Sequence, residues 1–325
     1  MSGRQMPALV AVTLLVLLSA ACSRTVTPAD DGRTAVWLDI SPAYGDPPRD
    51  PGDAFALLQA YGSGRLSIRG VSVTFGNVPL VRGYPVANEL MQRIDTRLIR
   101  PWRGASSREE GAAPTEATEL LEEALGKDTL TILALGPATT VASVLRRQPQ
   151  FASRMERIVL VGGHSTREAG LPRAADTSGA ADSVAADPDG LQVLLDSDVA
   201  ITLVAPGLST GLGLDSRDLD RLDAARGPVR LVLPSARGWL QAVTAASGGD
   251  AFAVPAMLAV DAAAHPGAMR CESATATLRT SPSPATLLVS TEPGTPGRPV
   301  AWCHTADAGA KDRILTDLMR LAPRP

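Results

Sequence analysis

The sequence predicts an α/β fold: a single large domain with a mainly parallel central sheet, flanking helices and a small C-terminal β/α portion. Three observations carry that reading. Strand-like apolar runs alternate with amphipathic helical runs as far as residue 205, the pattern of a parallel sheet covered on both sides. The first four of these runs each lead into a string of Gly, Asp, Asn or Thr. The strings are Leu38-Asp39-Ile40-Ser41-Pro42 continuing to Gly52-Asp53-Ala54, Thr74-Phe75-Gly76-Asn77, Leu135-Gly136-Pro137-Ala138-Thr139 and Val161-Gly162-Gly163. In an open α/β sheet such strings line the carboxyl edge, where ligands bind. Finally, 325 residues with 45% apolar and 20% charged side chains suit one soluble globular core of this class.

The elements follow in order. Strands are expected at Ala35–Ile40, Ile68–Phe75, Leu130–Leu135, Ile158–Gly162 and Ala200–Ala205. Helices are expected at Asp53–Tyr61 (Phe55, Leu57, Leu58), Thr139–Arg147 (Val141, Val144, Leu145) and Asp187–Asp196 (Leu191, Leu194, Leu195), where the apolar spacing makes one buried face. Beyond Pro206 the pattern changes. Asp218–Ala225, Arg237–Ala246 and Ala256–Ala264 read as helices; Ala274–Arg279, Ala285–Ser290 and Pro299–Cys303 as short strands; Asp312–Leu321 as a closing helix. The stretches Gly104–Pro114 and Ser165–Ala186 read as long loops, a lid or a disordered segment in the second case. No internal repeat is found.

A net charge of −3 with no basic stripe argues against a nucleic-acid partner. Arg4, an apolar run from Pro7 to Ala21 and the small residues Ser19-Ala20-Ala21 before Cys22 form a secretory signal over residues 1–21. The run is short for a membrane-spanning helix. Cys22 is positioned like the lipidated cysteine of a bacterial lipoprotein, which makes 22–33 a tether and 34–325 the folded domain, held outside the cytoplasm on a membrane or secreted. Outside the cytoplasm, Cys271 and Cys303 are expected to pair. That bridge closes a loop of about 33 residues, worth on the order of 3–4 kcal/mol.

The four strings, Asp187-Pro188-Asp189 opening a helix, and Met257-Leu258-Ala259-Val260 followed by His265-Pro266 together resemble the inosine/uridine-preferring nucleoside hydrolases, over roughly Val36 to Leu321. The resemblance implies cleavage of the N-glycosidic bond of ribonucleosides or related N-ribosides with a bound Ca²⁺. A calcium ion wants six to eight hard oxygens, and a water on it gives up its proton readily to a nearby carboxylate. Carried over by motif, Asp50 or Asp39 is the general base, and Asp50, Asp53 and the Thr139 carbonyl hold the ion. Asn77, Ser183 (where the family has Asn) and Asp187 meet the substrate. Several positions depart from the family pattern. The acidic loop is split by an insertion, so Ser41 or Asp50 takes the base position according to which side is aligned. Gly52 replaces a ribose-binding carboxylate, and Pro255-Ala256 replaces the pair that supplies a metal-ligand Asp and a leaving-group His. Asp250 substitutes only if its loop folds inward. The alternative is a riboside-binding or structural lipoprotein that performs no turnover; a homo-oligomer stays open.

Each residue also has a plainer role. Asp187 before Pro188 is a good helix N-cap, Asp53 suits a helix dipole, and the glycines suit tight turns. Gly207-Leu208-Ser209-Thr210-Gly211 spells a nucleophile elbow, but no helical periodicity follows the serine.

Overall fold

The computed structural model describes residues 32–45, 49–94, 100–168, 180–209 and 211–321, with backbone alone at 180–182. The expected signal segment, Cys22 and the greater part of the tether lie outside the described residues, as do residues 169–179 of the stretch expected as a lid. Residues from Gly32 onward form one compact unit.

Ten strands make one sheet: β1 (Thr34–Ile40), β2 (Leu66–Val73), β3 (Trp102–Arg103), β4 (Leu130–Ala134), β5 (Met155–Val161), β6 (His164–Ser165) and β7 (Ile201–Val204), with β10 (Met269–Arg279), β11 (Thr286–Ser290) and β12 (Arg298–Ala306). The two-residue strands β8 (Leu214–Asp215) and β9 (Ala251–Phe252) pair separately. The sheet order is β3-β2-β1-β4-β5-β7-β12-β10-β11-β6. Its first seven strands run parallel, and β10 is antiparallel to both neighbours. The C-terminal β portion therefore extends the main sheet. Central strands β1 and β4 read as near-continuous apolar runs because both of their faces are covered.

The helices are α1 (Gly52–Gly62), α2 (Leu80–Ile94), α3 (Glu116–Lys127), α4 (Thr139–Arg147), α5 (Ala180–Ala186), α6 (Pro188–Asp196), α7 (Ser216–Ala224), α8 (Leu233–Ser247), α9 (Pro255–Ala264) and α10 (Ala310–Arg320). The chain builds β1, β2 and β3 outward in one direction, then returns to lay β4, β5 and β7 on the other side of β1. With right-handed crossovers, that reversal puts α1 and α2 on one face and α4 and α6 on the opposite face. Helices α1, α9 and α10 pack together, as do α3, α4 and α6. Buried Asp261 of α9 accepts from Nε and Nη2 of Arg313 on α10, at 2.9 and 2.8 Å, and His265 Nδ1 lies 3.0 Å from Asp261 Oδ1.

A disulfide joins Cys271 to Cys303 across β10 and β12, where the two residues stand opposite each other in the register. Converting both to serine removes the cross-link from the unfolded chain and is expected to cost about 3–4 kcal/mol. Urea unfolding of the double variant checks this; an unchanged midpoint and slope would contradict it.

Candidate functional site at the carboxyl ends of β1 and β4

The reversal of strand order falls between β1 and β4, and a crevice at the carboxyl ends of such a pair is where open α/β sheets bind ligands. Asp39 sits there, in register with Ser72 of β2 and Ala134 of β4. It is fully buried. Its Oδ1 accepts from Ser72 Oγ at 2.6 Å and from Thr140 Oγ1 at 3.1 Å. Ser72 Oγ in turn accepts from the Trp37 indole N–H at 2.8 Å, which orients the serine as a donor toward Asp39. The Trp37 ring fits there because residue 70 is glycine; a Cβ at Gly70 would stand 2.2 Å from it. The chain of donors fixes one carboxylate oxygen and leaves the other: among the described residues, nothing hydrogen-bonds Asp39 Oδ2.

Burial pushes the Asp39 carboxyl up to about 7, against the two hydroxyl donors, and the charge of Asp53 raises it further. Burial likewise raises Asp53 to about 6, opposed by the Ser41 N–H, which donates to Asp53 Oδ2 at 2.7 Å. Among the described residues, the partners of both acids are hydroxyls and a backbone N–H, with no cation. Ser41 follows β1 directly; its buried Oγ also has no hydrogen-bond partner among the described residues. Gly76 arches over it with a φ of +138°, and a Cβ there would meet the Pro137 ring at 2.7 Å, so only glycine lets the two strand ends close around Ser41.

The acidic loop between β1 and α1 is braced from several sides. Tyr44 donates to Glu89 of α2, and the Gly45 N–H donates to Ser235 Oγ of α8 at 2.6 Å. The Asn77 amide donates to the carbonyls of Ser41, at 3.4 Å, and Asp50, at 2.8 Å. Asp50 is buried and accepts the Gly52 N–H at 2.8 Å on Oδ1, organising the first turn of α1. On the β4 side, Thr139 Oγ1 donates to Asp187 Oδ2 at 2.6 Å, and Asp187 Oδ1 caps α6 by accepting the Gly190 N–H at 2.8 Å. Ser183 Oγ reaches the Leu135 carbonyl at 3.4 Å.

The site residues expected from the sequence thus gather at one sheet edge. Asp39, Asp50, Asp53 and Asn77 cluster with Ser41 around β1; Thr139, Ser183 and Asp187 cluster around the end of β4; the Thr140–Asp39 bond joins the two. Asp250 does not come in, being exposed between α8 and β9. Ala256 lies buried in the first turn of α9. Ser209 ends a 3₁₀ turn that leads to β8, so no nucleophile elbow forms. Trp37, Ser72 and Thr140 were not legible as site residues. Their only sequence signal is register: a small hydroxyl on each neighbouring element at the level of a strand-end aspartate.

The family model for inosine-uridine preferring nucleoside hydrolases matches residues 36–312. The chain belongs to this family. Among characterised nucleoside hydrolase relatives it is similar to uridine nucleosidase 1 of Arabidopsis thaliana, 29% identical over 213 residues that cover 55% of this chain and 60% of that protein. It is also similar to the pyrimidine-specific ribonucleoside hydrolase RihA of Salmonella enteritidis, 22% identical over 57% of this chain and 67% of that protein. The aligned part therefore spans about three-fifths of the plant relative's length. A solved plant nucleoside hydrolase superposes with a TM-score of 0.74 at 18% identity, over 89% of this chain and 99% of that one. The purine-preferring ribonucleoside hydrolase from Gardnerella vaginalis does so with a TM-score of 0.74 at 16% identity, over the same shares. At those identities the likeness is one of fold.

Nucleoside hydrolases are generally metal-dependent, often on Ca²⁺. The described residues of this chain fall short of such an ion. Among them, no three His, Cys, Asp or Glu side chains come together as a metal site. One oxygen of Asp53 and one of Asp50 are held by backbone N–H groups, and Asp187 is committed on both. Ser41, Gly52 and Ala256 offer no charge at all, whereas Ca²⁺ wants six to eight hard oxygens, several of them anionic.

Proposed function

We propose that the crevice at the ends of β1 and β4 binds ribonucleosides or related N-ribosides and hydrolyses their N-glycosidic bond, with Asp39 as general base. The observation that carries this reading is the unpartnered, buried Asp39 Oδ2 at the switch point of the sheet. A buried carboxylate that is costly to ionise and held in one orientation is a functional-site signature. With a carboxyl near 7, about half of the molecules carry the base form at neutral pH. Ser72 and Thr140 fix Oδ1, so Oδ2 is the oxygen that takes a proton from a water attacking the anomeric carbon. The negative charge of Asp53 beside Asp39 favours the cationic, oxocarbenium-like transition state of such cleavage. Asp50, engaged with the Gly52 N–H, shapes the start of α1.

The relatives' names span uridine, pyrimidine and purine ribonucleosides, so the base is left unspecified. Pro255-Ala256 supplies no acid for the departing base, and that substitution supports a second reading, binding without turnover. The Cys271–Cys303 bridge favours an oxidising compartment, consistent with a lipid anchor at Cys22 outside the cytoplasm. The test is ribose release from inosine, uridine and an activated nitrophenyl riboside. Release from at least the activated substrate is expected; none from any of the three, with inosine still bound, would leave the binding reading.

A further inference from the structure

The metal shortfall points to a different way of holding the sugar. We propose that this site takes the ribose directly, with no bridging divalent cation, through Asp39 Oδ2 and Ser41 Oγ. The inference rests on the riboside reading above. Two buried polar atoms without hydrogen-bond partners among the described residues lie two positions apart in the chain, Asp39 Oδ2 within β1 and Ser41 Oγ one residue past its end, beside the point where the strand order reverses. Buried oxygens are rarely left unbonded, so two of them at the switch point of the sheet call for a ligand with matching groups. A vicinal diol supplies them: one lone pair of the carboxylate oxygen accepts from one hydroxyl, leaving its second for the attacking water, and a serine hydroxyl both donates to and accepts from the other.

The surrounding groups act in the same direction. The Ser41 N–H on Asp53 and the Gly52 N–H on Asp50 stabilise those acids by hydrogen bonding, the role a cation otherwise fills. The Asn77 amide is turned onto the loop carbonyls of Ser41 and Asp50, holding the Ser41 backbone in place. Ala256, buried in the first turn of α9, has no charge to offer a cation.

The experiment is calorimetric titration of the full chain with inosine, in excess EDTA and again in millimolar Ca²⁺, alongside Ca²⁺ alone. The inference expects inosine affinity to agree within about twofold between the two buffers, and no Ca²⁺ heat at micromolar ion. It expects Ser41→Ala and Asp39→Asn each to weaken inosine by about tenfold or more, the scale of a lost hydrogen bond to a charged or buried group. Cooperative melting of both variants shows that the loss is not unfolding. Inosine binding that requires Ca²⁺, micromolar Ca²⁺ binding, or variants that bind as wild type would overturn the direct mode and leave the riboside reading standing. No binding of either inosine or uridine, titrated in the same way, in either buffer would overturn both.

Discussion

Asp39→Asn is expected to give a protein that is more stable than wild type at pH 8 and nearly inactive. The stability half follows from proton linkage. The Asp39 carboxyl is held near 7 in the fold and near 3.8 when exposed. Between those values the folded state keeps a proton that the unfolded chain has lost, so this group's contribution to stability falls as pH rises from about 4 through 7 and is flat above. A shift of about three units corresponds to at most about 4 kcal/mol. Asparagine has the shape of the protonated acid and never ionises. The variant should therefore match wild type near pH 4.5 and melt about 5 °C or more higher at pH 8, given a shift of roughly 2 °C per kcal/mol for a domain of this size. The activity half follows from the loss of the general base, which is expected to cost about 10²–10⁴-fold in kcat/KM. A merely structural aspartate held by Ser72 and Thr140 would not couple gained stability to lost turnover. Melting curves at the two pH values, with one rate measurement, check both halves; a variant less stable than wild type at pH 8 would contradict the linkage.

The second large effect is on the leaving group. Cleaving an N-glycosidic bond requires the departing base to leave as an anion or to receive a proton. The turn that opens α9, where the family resemblance places a leaving-group acid, carries Pro255 and Ala256, neither of which can give a proton. A general acid contributes on the order of 10²–10⁴-fold when present. Substrates whose leaving group needs no proton, such as a nitrophenyl riboside, should therefore be cleaved at least about 100-fold faster than inosine. Comparable rates on the two would mean that an acid exists and that this reading of the α9 terminus is wrong.

Much of this architecture was legible because strand ends punctuate the sequence. Apolar runs that stop in Gly, Asp or Asn mark both the element and the edge it feeds, and Asp39, Asp53, Asn77 and Thr139 do meet at one edge. What was not legible is instructive. Helix α2 carries Pro85 within it, and α3 is polar enough around Leu121 and Leu125 that its face is narrow; neither stood out as a helix. Strand β10 begins at Met269, well before its apolar stretch, because pairing with β12 extends it through exposed residues. Asp187 read as a helix cap from its own residues and as a substrate contact only through the family resemblance; its geometry is that of a cap which also receives Thr139. The Trp37–Ser72–Asp39 chain could not be read at all, because it depends on which residue of β2 stands beside which residue of β1.

The most direct test of Asp39 as the base is the pH dependence of kcat/KM on the activated riboside, measured from pH 5 to 9 for wild type and Ser72→Ala. Wild type should rise through a limb near pH 7, where Asp39 loses its proton, and level off above. The Ser72 hydroxyl stabilises the ionised form, so its removal should move that limb to higher pH. A profile with no limb in this range, identical in the two proteins, would remove Asp39 from the chemistry.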